Sequence, residues 1–276
     1  MSCRPEQGGM ESTYRVCAPT DAAGTDLKGA ASLLRGLGFN HCELRTVDGR
    51  HVLELSPPAW REVVTLLEQE GLAVALLDSG VGQTTITDGF SPQLARMERA
   101  LDLATSVGAS YVGVYAYRVS PEELEHWRGE VVERFARLAE LAAARHVTLL
   151  VENRPGSFCH SGQRLSDLVT AVNHPCMGAI FNPAGFVAEK RHPFLTEFQP
   201  WPLKNYIRCV RIADGVFEDG RAVLPDEGNA ELRELVSALS CRSFDGFFSL
   251  DPGLEPAPET FRAACRAFRA MVAALL

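Results

Sequence analysis

At 276 residues, 46% of them hydrophobic, the chain is long enough to bury either one large core or two smaller ones. A formal net charge of −8, spread without long runs of one sign, argues against a nucleic-acid partner, which needs a basic face to release counterions. The longest apolar stretch, Met271 to Leu276, is far too short for a membrane span of roughly 20 residues, and Met1 to Glu11 lack the apolar core of a secretory signal.

The eight cysteines include no CxxC pair, and Cys42, Cys209 and Cys265 sit in apolar runs. They read as reduced, buried thiols of a cytoplasmic protein. Residues 1–12 are polar and read as an N-terminal extension, leaving 13–276 for a single domain. A first strand is expected over Tyr14 to Ala18. Leu27, Ala30, Leu33, Leu34 and Leu37 recur at helical spacing, and Gly38 closes that helix. Phe39 to Arg45 predicts a strand with His41, Glu43 and Arg45 on one face.

Ser56-Pro57 opens the next helix, Gly71 ends it, and Leu72 to Leu77 follows as the third strand. Ser91-Pro92 starts a helix before the strand Tyr111 to Tyr115. Ser120-Pro121-Glu122-Glu123 then predicts a capping box on a helix running to about Arg145. Later strands are expected at 147–153, 178–182, 207–214 and 247–251, with helices near 163–172, 230–239 and 258–276. The stretch Ala188 to Leu203 is less regular. Eight strand-then-helix units at a spacing of about 30 residues predict a (β/α)8 TIM barrel rather than a doubly wound sheet.

In such a barrel the chemistry lies at the C-terminal strand ends. Strand alternation aims Glu152, Asn182, Arg211 and Asp251 into that rim, with Glu43 and Arg45 from the second strand. Tyr115 could also line the pocket. His160, next to Cys159 in the loop after the fifth strand, joins the candidate substrate-binding residues, although sequence neighbours on a loop rarely face each other.

The stretches Gly38 to Leu44, Leu149 to Gly156, Phe181-Asn182-Pro183-Ala184, Cys209 to Asp214 and Gly246 to Asp251 together resemble the xylose isomerase-like TIM-barrel superfamily. That group holds sugar-phosphate isomerases and epimerases and the endonuclease IV proteins. The resemblance implies four metal ligands: a Glu after strand five, an Asp after strand six, a His on strand seven and a Glu after strand eight. Only Glu152 matches. Asn182, Arg211 and Asp251 stand at the other three positions, Ala213 replaces a frequent lysine, and Gly185 replaces a histidine used by many sugar epimerases.

A guanidinium has no lone pair to donate, and at about 5 Å from a divalent ion, with a dielectric near 20, it would repel the ion by roughly 6 to 7 kcal/mol. A metal-free site is therefore expected. The alternative is Mn²⁺, Mg²⁺ or Zn²⁺ held by Glu152, Asn182 and Asp251. The functional expectation is an isomerase or epimerase acting on a small polar or anionic substrate. Glu152 would remove a proton next to a carbonyl, Asp251 would return one, and Arg211 with Asn182 would hold the developing oxyanion. Dehydratase, lyase or tailoring chemistry on the same scaffold, or a non-catalytic binding relative, are the alternatives. The sequence leaves a homo-oligomer open.

Overall fold

The computed structural model describes residues 14–275, and the expected extension over 1–12 lies outside the described residues. Eight parallel strands are β1 Arg15–Cys17, β2 His41–Leu44, β3 Ala73–Asp78, β4 Tyr111–Tyr115, β5 Thr148–Glu152, β6 Met177–Phe181, β7 Ile207–Ile212 and β8 Phe247–Leu250. They pair in the order β1-β8-β7-β6-β5-β4-β3-β2. The ring is completed where the Glu43 amide donates to the Ala18 carbonyl at 2.8 Å and Pro19 bridges Glu43 in parallel. This is the expected (β/α)8 barrel.

The helices are α1 Leu27–Gly36, α2 Pro57–Glu70, α3 Phe90–Ser106, α4 Leu124–Ala143, α5 Gly162–Val172, α6 Pro183–Ala188, α7 Leu232–Ser240 and α8 Pro258–Ala273. Their starts follow local chemistry. Asp26 accepts from the Gly29 amide at 2.8 Å, Ser56 from Ala59 at 3.4 Å and Ser161 from Arg164 at 3.3 Å, each satisfying an otherwise unpaired first-turn donor. The apolar faces then pack inward. On α8, Phe261, Ala264, Cys265, Phe268 and Met271 are buried at helical spacing against the outside of the barrel.

Two expected starts differ. Ser91 lies inside α3, which begins at Phe90 with Gly89 ahead of it. The Ser120 box does not form: its hydroxyl bonds the Glu123 carboxylate instead of a backbone amide, and Pro121–Glu123 makes a 3-10 turn before α4. A short side chain that finds a carboxylate three residues on is diverted from the helix end. The irregular stretch after α6 holds a π-helical turn, Pro193–Phe198, and a 3-10 turn, Pro202–Asn205.

Inside the barrel the side chains stack in layers. Leu76, Leu150, Ile180, Cys209 and Phe247 form an apolar plug. Two residues further along the same strands, alternation places Asp78, Glu152, Asn182, Arg211 and Ser249 on the same inward face. The plug therefore floors a polar layer. Among the described residues all seven cysteines are free thiols, and no helix is long and apolar enough to cross a membrane.

Candidate active site at the C-terminal mouth

Arg211 stands at the centre of the polar layer, only 2% exposed. Register sets it beside Ser249 on β8. One terminal nitrogen donates to Glu43 Oε2 and, at 3.1 Å, to the Ser249 hydroxyl. The other donates to Glu43 Oε1 at 2.9 Å and to Glu152 Oε2 at 3.0 Å. Asp251 Oδ2 lies 4.0 Å from the guanidinium, on the solvent side. Only Nε lacks a partner among the described residues.

A second cation closes the upper edge. Arg45 bonds Asp251 at 2.9 Å and makes a two-pronged pair with Asp21 at 2.9 and 3.0 Å. Asp251 is thereby held between two arginines, with its side chain 18% exposed and Arg45 28% exposed. Arg45, Asp21 and Asp251 bring the network to solvent at this edge.

Asn182 joins the network as a donor. Its Nδ2 donates to Glu152 Oε1 at 2.8 Å, while Oδ1 accepts from the Gly185 amide at 3.2 Å and so caps α6. Asn153 clamps the Asn182 backbone, donating to its carbonyl at 2.8 Å and accepting from its amide at 2.7 Å. A side chain on Gly185 would have its first carbon 3.0 Å from the Asn153 amide, so glycine there keeps the clamp in place.

The carboxyl groups respond to these surroundings in opposite directions. Burial raises the Glu152 and Asp251 carboxyls, but the arginines outweigh it and hold both below the usual range: Arg211 with Arg154 for Glu152, Arg45 with Arg211 for Asp251. Complete burial pushes Glu43 upward despite Arg211. One guanidinium is shared between two buried carboxyls, and at Glu43 the desolvation outweighs it.

Because the folded pKa of Glu43 lies above the unfolded value of about 4.3, its contribution to stability is full below that value and is lost as pH rises through the folded pKa. Glu152 and Asp251 contribute the other way, above their unfolded values, and lose it as the pH falls. The stability advantage of wild type over E43Q, measured by urea unfolding, is therefore expected to shrink from pH 5 to pH 8. An advantage that grows with pH would contradict a raised Glu43 pKa.

Three residues of the layer carry no signal in the sequence that singles them out: Asp78, Ser249 and Asp21. Asp78 accepts from the Tyr115 hydroxyl and from the Gly80 amide at 2.8 Å. Tyr115, buried beside Glu152 in register, also accepts from Arg154 at 3.1 Å, and the Arg154 guanidinium lies 3.9 Å above its ring. Burial and then Asp78 push the Tyr115 phenol well above its ordinary pKa, so it acts as a neutral donor.

His160 is outside this network. Its ring nitrogen meets the Ser157 carbonyl at 3.1 Å, and burial pushes the neighbouring Cys159 thiol up, away from nucleophilic character. Asp214, past β7, is a loop anchor whose carboxylate accepts from the amides of Gly215, Asp226, Gly228 and Ala230 at 2.8 to 3.0 Å.

The donor set does not fit a divalent ion. Arg211 fills the space between Glu43 and Glu152, and Asn182 turns its amide hydrogens to Glu152 while its oxygen caps a helix. Among the described residues no group of three or more His, Cys, Asp or Glu side chains is arranged to hold a metal.

The family profile described as xylose isomerase-like TIM barrel matches residues 31–271. Among curated proteins no sequence match is found. Solved structures with the same fold include a D-tagatose 3-epimerase-like protein, 15% identical with TM-score 0.76, covering 95% of this chain and 98% of that one. A probable 3-DHS dehydratase from Bacillus anthracis, AsbF, is 15% identical with TM-score 0.75, covering 94% and 99%. A xylose isomerase-like TIM barrel protein from Mycobacterium smegmatis, in complex with magnesium, is 17% identical with TM-score 0.73, covering 96% and 97%.

Proposed function

We start from the fact that the chain belongs to the xylose isomerase-like TIM-barrel family, and propose that it is an enzyme moving a proton beside a carbonyl of a small polar molecule. Isomerases, epimerases and some dehydratases share this step. A buried guanidinium takes the place of the divalent ion of metal-dependent relatives. The observation that carries this reading is the position of Arg211, in contact with Glu43 and Glu152 and within 4.0 Å of Asp251.

The geometry supports one division of labour on this reading. Glu152 is ionised at neutral pH, oriented by Arg211 and Asn182, and is the base. Asp251 reaches solvent, exchanges protons with water and returns one to the intermediate. The positive field of Arg211, Arg45 and Arg154 favours negative charge developing on the substrate oxygen above the layer, without reorganisation during the reaction. Because Arg211's terminal nitrogens already hold carboxylates, it acts on substrate through that field and not by direct clamping. With both working carboxyls held low, proton return depends on a minor protonated form of Asp251, so turnover measured against pH should already be falling as pH rises from the ordinary carboxylate range toward neutrality.

A second reading has its own observation: every oxygen of Glu43 and Glu152 is occupied by a donor. On that reading the mouth binds a ligand and does no chemistry. Deuterium exchange decides between them. In D2O, a panel of aldoses, ketoses and 2-keto acids is followed by proton NMR, and exchange beside the carbonyl that depends on the enzyme supports the catalytic reading. Binding of a panel member without exchange supports the other.

A further inference from the structure

Beside the carboxylate network, three loops at the same mouth enclose a cavity of about 280 Å³, with Gln83, Tyr115, Arg118, Arg154 and Ser157 in its lining. The loops follow β3, β4 and β5, and backbone contacts hold them together. Arg118 bridges Thr85 on one side and Ser157 on the other, and the Phe158 amide donates to the carbonyls of Ala116 and Tyr117. Gly82, with φ of +80°, sits so close to the Tyr115 carbonyl that a Cβ there would lie 1.7 Å from the oxygen. The three loops are thus fixed to one another by main chain.

The cations of this cavity differ from Arg211 and Arg45 in having no carboxylate within direct contact among the described residues, although Arg154 is near enough to lower the Glu152 and Asp251 carboxyls through space. Arg211 and Arg45 are each paired with carboxylates, whereas neither Arg118 nor Arg154 has a carboxylate partner among the described residues. Arg154 is nevertheless positioned, with its plane set over the Tyr115 ring and one nitrogen on the phenol oxygen. Arg118 is tethered through one nitrogen to the Gln83 carbonyl at 3.0 Å. Both keep further N–H donors for another acceptor. In a chain with net charge −8, two oriented and unpaired guanidiniums lining one cavity are complementary to an oxyanion.

We propose that this cavity is the anion subsite of the candidate active site, binding a carboxylate or phosphate group of the substrate between Arg118 and Arg154. The inference rests on the functional reading above and adds the substrate class, a carbonyl compound with a terminal oxyanion. Tyr115 connects the two halves, since it lines the cavity and its strand partner in register is Glu152. An anion held there leaves the rest of a short carbon chain directed at Glu152 and Asp251.

The test measures binding and not turnover. Inorganic phosphate and, separately, malonate are titrated into the full chain by calorimetry at low ionic strength. The expected result is saturable one-to-one binding of at least one probe, weakened about tenfold or more by R118A and by R154A and unchanged in R61A, which alters an exposed arginine of α2. Phosphate preferred over malonate identifies a phosphate group, and the reverse identifies a carboxylate. Circular dichroism checks that the variants fold, and R118E should abolish binding if R118A only weakens it. No saturable binding of either probe, or binding indifferent to both arginines, overturns the subsite. E152Q separates the two claims: it should bind the probe as wild type does while losing deuterium exchange, so either result can fail without the other.

Discussion

Replacing Arg211 with methionine is expected to lower the stability of the fold by about 3–5 kcal/mol, the usual penalty when one partner of a buried ion pair is removed. Methionine fills much of the same space and leaves Glu43 and Glu152, at 0% and 4% exposure, without the cation that holds them together. The chain can recover part of the loss by protonating both carboxyls, so the defect should be smaller at pH 5 than at pH 8. Neutralising the whole cluster in E43Q/E152Q/R211M should restore much of the stability, because the penalty comes from uncompensated buried charge and not from a missing attraction. Urea unfolding of the three proteins measures this. A loss below about 1 kcal/mol in R211M, within the range of ordinary substitutions, would mean that the guanidinium does not organise the site; if R211M fails to fold, recovery in the triple variant decides the point.

E152Q is expected to reduce deuterium exchange beside the carbonyl by about 10²–10⁴-fold, the range for loss of a positioned acid or base. The fold should survive. The substituted amide retains an oxygen for Arg211 or Asn182, and Arg211 remains paired with Glu43 through both of its terminal nitrogens. A structural role predicts the reverse, lower stability with exchange intact. Activity at wild-type level in a folded E152Q protein would remove Glu152 from the mechanism, whatever the barrel's other properties.

The architecture is legible in the sequence because the barrel repeats one local instruction eight times. Most strands are largely apolar, the longer helices carry an inward stripe, and Ser56-Pro57 and Gly71 mark ends by chemistry that needs no distant partner. Strand alternation also finds the inward rim, since a polar residue two positions beyond a plug residue must face the same way. Asp78 escapes because the apolar run of the third strand stops at Leu77, one residue short of it, and Ser249 because a hydroxyl between Phe247 and Asp251 looks ordinary. Asp21 follows β1 in a 3-10 turn without periodicity, and only folding brings it to Arg45.

Pairing is the part hidden from the sequence. Glu43 and Arg45 share a strand face, yet Glu43 turns down to Arg211, 168 positions away, and Arg45 turns up to Asp251, 206 positions away. Closing the barrel between β1 and β2 sets these partners, and spacing along one strand carries no information about that closure. Likewise, Asn182 could be read as a weak ligand or a substrate contact, and only the Gly185 amide and the Glu152 carboxylate fix which end of its side chain faces the site.

Whether the guanidinium excludes a divalent ion from the polar layer is tested most directly by titrating Mn²⁺, Mg²⁺ and Zn²⁺ into chelator-free protein, with elemental analysis of the gel-filtered product. The prediction is a metal content far below one ion per chain, with melting temperature and deuterium exchange unchanged by EDTA. One tightly held ion per chain, whose removal lowers either quantity, would contradict it.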